Sequence, residues 1–162
     1  MTRTQKLAPA EAPEPADRAV KVGSVAAFVF LVAAILYLVF SHQLFTTQPV
    51  LLAVQGAAVG LMIWARVTFG VRSFHASADT TRGGLVTSGP YRWWRHPIYA
   101  SIAYFVWAGV AAHPTLDALG AALVVTAMLL ARMLLEERFL RRTYPGYGEY
   151  AKRAKRFIPF VV

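Results

Sequence analysis

Four long stretches of this chain carry no charge or only one, and they limit what it can fold into. Val22 to Phe40 is a run of 19 uncharged residues and Pro49 to Ala65 one of 17. Ile98 to Ala112 is one of 15, and Ala118 to Leu135 is one of 18 that contains the single charge of Arg132. A helix crosses a bilayer with roughly 17–25 such residues, so the first, second and fourth runs qualify. The third is short alone. Pro97 can open its helix as a first-turn proline, and a few flanking residues make it a thin span. The first run is longer than the roughly 7–15 residues of a signal-peptide core. No small-x-small cleavage site follows it in Ser41-His42-Gln43-Leu44, so it is read as a retained span.

Composition agrees. Charged residues are 15% of the 162, against about 25% in a soluble domain. With no cysteine, disulfides, thiolate-bound zinc, thiol catalysis and palmitoylation are excluded. The formal charge of +9 would fit a nucleic-acid binder until the basic residues are placed. The N-terminal part holds Arg3, Lys6, Arg18 and Lys21. Residues 66–97 hold Arg66, Arg72, Arg82, Arg92 and Arg95, and the C-terminal part holds the rest, from Arg132 to Arg156. The intervening turns, 41–48 and 113–117, hold none. All 17 basic residues therefore fall on one side of a four-span arrangement, which by the positive-inside rule is the cytoplasm. The charge needs no nucleic acid, and basic juxtamembrane segments favour anionic headgroups.

The expected fold is an all-α integral membrane protein of about four transmembrane helices, near 22–40, 49–66, 97–112 and 117–135, with both termini cytoplasmic. Residues 1–18 read as a disordered tail before a single membrane domain over 19–162. The two short outer turns make two helical hairpins. Gly83-Gly84 and Gly89-Pro90 mark turns in the connecting loop. The last helix is expected to run on through the charged segment Glu136 to Arg142 until Pro145-Gly146 breaks it, with a basic interfacial helix within 147–156. Gly56 and Gly60 have the spacing that lets two helices approach closely. Gln55 reads as making an interhelical hydrogen bond, with the lining of a cavity as the alternative.

Chemistry concentrates at two helix ends. One is Gly89-Pro90-Tyr91-Arg92-Trp93-Trp94-Arg95-His96-Pro97-Ile98-Tyr99, which leads into the third span; the other is Glu136-Glu137, which leaves the fourth. A short outer turn joins these two spans, so their inner ends should be neighbours. Ionisable groups near membrane depth are costly and are functional candidates. Bland roles exist for each. The tryptophans and tyrosines suit an aromatic belt, Arg95 suits a snorkelling anchor, and Glu137–Arg141 and Arg132–Glu136 suit i,i+4 ion pairs. No nucleotide loop, serine elbow or zinc motif is present. The four histidines are scattered, so no metal site is expected.

At these residues the chain resembles the isoprenylcysteine carboxyl methyltransferase family, which also takes in phospholipid methyltransferases. The matching elements are Gly89-Pro90-Tyr91, Arg95-His96-Pro97-Ile98-Tyr99, Glu136-Glu137, Tyr147, Tyr150 and Arg156-Phe157-Ile158-Pro159. They cover roughly residues 85–160. Pro145-Gly146 departs from the usual Phe-Gly, and Lys155 stands where proline often precedes the arginine. The resemblance implies an S-adenosylmethionine-dependent enzyme of a bacterial-type inner or plasma membrane, with its site facing the cytoplasm. It implies an acceptor that is lipophilic, of isoprenylcysteine-carboxylate type or a related small lipid, and that arrives from the bilayer. It also implies cofactor contacts from Tyr91, His96, Pro97, Tyr99, Glu136, Glu137 and Arg156, with Arg95 and Glu137 as catalytic residues. Two other readings remain: an NADPH-dependent membrane reductase of the related sterol reductase type, and a non-catalytic membrane protein.

Overall fold

The computed structural model describes residues 15–70 and 85–156. It is all-α: α1 (Pro15–Phe40), α2 (Pro49–Phe69), α3 (Pro97–Ala112), α4 (Leu116–Thr143) and α5 (Tyr147–Arg153), with a 3-10 turn at Gly89–Arg92 before α3. Residues Val22–Phe40, α2 and α4 are long and apolar enough to cross a membrane, and α3 is a shorter apolar helix. The protein is an integral membrane protein. α1 reaches back to Pro15, so the last residues of the expected tail are helical; residues 1–14, Gly83-Gly84 and Phe157-Ile158-Pro159 lie outside the described residues. α4 continues past Leu135 to Thr143 and ends before Pro145-Gly146. α3 has 16 residues. It is therefore about 24 Å long by the helical rise, short of a hydrocarbon core of about 30 Å.

Lateral packing departs from two simple hairpins. α3 packs most extensively on α2, and α4 on α1. α4 is central: its Ala118, Ala122, Val125, Leu129 and Met133 meet Leu31 and Leu38 of α1 and Ala103, Val106 and Val110 of α3 in one core. Small residues on α3, including Ala100, Ser101, Ala103, Ala108 and Gly109, are buried and keep its neighbours close.

The end remote from Glu136 and Glu137, outer in the expected topology, is sealed by the chain between α1 and α2. Leu44 tucks under α3, where a Cβ on Gly109 would come within 2.1 Å of the Leu44 carbonyl oxygen. Gln55, buried on α2, donates to that same oxygen (2.7 Å) and to Phe105 O (3.2 Å). The expected interhelical hydrogen bond is therefore present, and the same amide satisfies the loop carbonyl of Leu44, which lipid would leave without a donor. Asp117 accepts from Tyr37 Oη (2.7 Å) and Gln43 Nε2 (3.0 Å), which ties α1 to the start of α4. The Gly56/Gly60 pair behaves otherwise than expected within the chain. A Cβ at either position would meet nothing within 4 Å, so these glycines mediate no close helix approach here.

Gly109→Ala should therefore cost about 2 kcal/mol or more, because an overpacked site must shift backbone rather than a side-chain tip. Gly56→Ala should leave thermal stability in detergent unchanged or slightly raised, since alanine is the better helix former.

Candidate active site at the inner ends of α3 and α4

The 3-10 turn hangs from the inner end of α2. Gly89 has φ +57° and a Cβ there would lie 2.6 Å from Thr68 Oγ1, so both conformation and space demand glycine. Pro90 follows, and the Tyr91 ring packs on Phe69 with centroids 5.5 Å apart. Trp93 meets Trp64 edge-on at 5.9 Å. The C-terminal segment then straps this loop from below. Arg95 N donates to Lys155 O (2.6 Å) and Lys155 N to Trp93 O (2.9 Å), while Tyr150 Oη donates to Tyr91 O (2.8 Å). Pro97 opens α3 as its first residue. His96 precedes it, with its ring stacked on Tyr99 at 5.6 Å and 13°.

α4 delivers the two glutamates. Adjacent helical residues point about 100° apart, and here each finds different partners. Glu137 is 3% exposed. Arg156 grips it with two bonds, Nε to Oε1 and Nη2 to Oε2, both 3.0 Å. Arg95 Nη1 lies 3.1 Å and His96 Nε2 3.5 Å from Oε1. Glu136 faces α3. Its Oε1 accepts a short hydrogen bond from Tyr99 Oη and lies 3.7 Å from Arg132 Nη2, while its Oε2 lies 3.7 Å from His96 Nδ1. Its side chain keeps 24% of its surface accessible, against 4% for Glu137. His96 thus bridges the two carboxylates.

The structure therefore gathers Arg95, His96, Tyr99, Glu136, Glu137 and Arg156. Tyr91 is buried on the α2 side of the turn and contributes its carbonyl to Tyr150; Pro97 contributes a helix start. The solvated Glu137–Arg141 pair is replaced: Arg141 sits over the Tyr147 ring at 5.6 Å. Sequence reasoning left Trp94, Arg132, Tyr147 and Tyr150 out of the site. A lone charge inside an apolar run was the available signal for Arg132.

Among the described residues, Trp94 Nε1, and Arg95 Nε and Tyr147 Oη beside each other, are buried without a well-formed hydrogen bond, while His96 Nε2 lies 3.5 Å from Glu137 Oε1. An unmet buried donor costs about 1–3 kcal/mol, so these are the groups of the cluster with donors still to offer. Burial, with the nearby Glu137 carboxylate adding to it, pushes the Tyr147 phenol up to about 12. Arg156, paired with Glu137, is held more firmly charged than usual.

Two outcomes are expected. Glu137→Gln leaves Arg95 and Arg156 facing no anion and should cost about 3 kcal/mol in unfolding experiments. The neutral Tyr147 phenol favours the folded state below its ordinary value of 10, so stability should fall as pH rises from there to about 12. Tyr147→Phe should reduce that slope in melting curves taken across the same range.

The family described as phospholipid methyltransferase matches residues 45–146. The cobalt-zinc-cadmium resistance protein CzcN of Cupriavidus metallidurans is 36% identical over 83 residues, 46% of this chain. The match spans 35% of that relative's own length. No solved structure matches. The family match runs from the outer loop through both the Arg95–Tyr99 segment and the glutamates that close on it, and the chain belongs to the phospholipid methyltransferase family.

Proposed function

We propose that the protein is an S-adenosylmethionine-dependent methyltransferase that modifies a lipophilic, anionic acceptor of carboxylate type at the cytoplasmic face of a bacterial-type inner or plasma membrane. The observation that carries this reading is the charge balance of the cluster around the two glutamates. Three guanidiniums, Arg95, Arg132 and Arg156, stand against two carboxylates. The cluster is net cationic even with His96 neutral.

When bound, S-adenosylmethionine supplies a methyl group on a sulfonium, whose departure needs no proton. The residues present fit it. Glu136, the accessible carboxylate, suits its ammonium. Arg95 Nε and Tyr147 Oη suit its carboxylate, and His96 and Tyr99 offer aromatic faces to its cationic end. Glu137 holds Arg95 and Arg156 in place, and the buried setting excludes water. The bound cofactor adds a net positive charge to a site already cationic. An acceptor that brings a negative charge is then favoured over an amine. Positioning such groups is where most of the rate arises in a displacement of this kind.

Orientation follows from charge. Arg66, Arg92, Arg95, Arg138, Arg141 and Arg142 lie at the helix ends that bear the site, whereas Gln43, His113 and Asp117 lie at the other. The positive-inside rule puts the first group in the cytoplasm.

Titration calorimetry in mild detergent tests this reading. S-adenosylmethionine and its demethylated product should bind saturably, and Glu136→Gln or His96→Ala should weaken both by about tenfold or more, a loss of ~1.4 kcal/mol. Labelled methyl should pass to a prenylcysteine carboxylate analogue in preference to phosphatidylethanolamine. Binding of NADPH instead would overturn the reading in favour of a reductase.

A further inference from the structure

Arg132 is a cation placed where apolar residues surround it. It sits on α4 one turn before Glu136 and is 4% exposed. Three of its guanidinium's contacts bear on the site. Nη1 donates to Ser24 O of α1 (2.9 Å), Nε donates to Tyr99 Oη of α3 (3.2 Å), and Nη2 lies 3.7 Å from Glu136 Oε1. The rings of Phe28 and Tyr99 flank it at 5.3 and 5.9 Å. An arginine within an apolar span is costly, and fastening α1 to α4 would not require a charge.

The hydrogen bonds give the charge a purpose. A tyrosine hydroxyl has one proton. Because Tyr99 Oη accepts from Arg132 Nε, its own proton is directed to Glu136 Oε1. Oε1 then faces both the Tyr99 hydroxyl and the Arg132 guanidinium. Oε2 lies 3.7 Å from His96 Nδ1, its one polar neighbour among the described residues, and belongs to the more accessible carboxylate of the pair.

We propose that Arg132 is the positioning residue of this site: acting through Tyr99, it fixes Glu136 so that Oε2 is the oxygen offered to a ligand's cation, and through Ser24 it makes α1 part of the site's frame. The assignment of that cation to the methyl donor's ammonium rests on the reading of the protein as an S-adenosylmethionine-dependent enzyme.

The test uses the full chain in detergent with Arg132→Met, Arg132→Lys, Tyr99→Phe and the Met/Phe double variant. Each is measured for S-adenosylmethionine affinity and for melting temperature. Arg132→Met should weaken binding at least tenfold. Lysine, which lacks the planar fork, should restore folding more fully than affinity, and it serves if the methionine variant does not fold. Tyr99→Phe should weaken binding too, and the double variant should lose no more than the worse single change. Leu31→Ala, a cut in the same α1–α4 contact, should lower the melting temperature without lowering affinity. Native affinity in Arg132→Met, or losses that simply add, would overturn the proposal. A wild-type protein that fails to bind the methyl donor would instead overturn the cofactor reading. Sub-additive melting shifts of the Arg132 and Tyr99 variants would then still support the positioning role, and additive shifts would overturn it.

Discussion

A carboxylate buried as deeply as Glu137 stays ionised only if cations come to it. Here they come from two segments far apart in sequence. Arg95 arrives on the loop before α3, and Arg156 arrives on the strand-like segment after α5. The paired backbone bonds between Trp93, Arg95 and Lys155 set both arginines at the right depth. Once those are fixed, His96 falls between the two glutamates, and Tyr99 falls one turn further along α3. The site is thus assembled around one anion, and the loop, the helix start and the tail take their positions from it.

The bilayer supplies the second constraint. A short α3 leaves its ends to be completed by other chain. At the outer end the Leu44 segment does this, with Gly109 giving it room and Gln55 satisfying its carbonyl. At the inner end the 3-10 turn does it, with Gly89 allowing contact with Thr68. Both glycines are used for close approach. The more conspicuous Gly56 and Gly60 are not so used within this chain.

Much of this was legible in the sequence. Helix positions follow from run length, and the continuation of α4 follows from a helical pattern that ends only at Pro145-Gly146. The company of Arg95, His96, Tyr99, Glu136, Glu137 and Arg156 follows from a motif joined across one short outer turn. The rest was hidden for physical reasons. Turn length makes two helices consecutive, but side-chain shape decides which packs on which, so the α4–α1 and α3–α2 partnerships were not readable. Local spacing favoured Glu137–Arg141. Such an exposed pair is worth only a few tenths of a kcal/mol, and a buried carboxylate takes stronger, more distant donors. Arg132 was readable as a charge out of place, but its partners on α1 and α3 come from the tertiary fold.

The Arg132–Ser24 contact joins residues 108 positions apart in the chain, and this bears on the order of membrane insertion. α1 reaches the bilayer with its backbone bonds closed within its own helix and can wait there alone. α4 cannot do so on equal terms, because a guanidinium in the last turn of its apolar run must reach the interface or find a partner, and a charge inside a span is costly. A resident α1 offers Ser24 O and the Phe28 ring to that charge. The first span is thereby a docking partner for the last, and its presence favours the topology in which the glutamates end on the same side as the arginines that hold them.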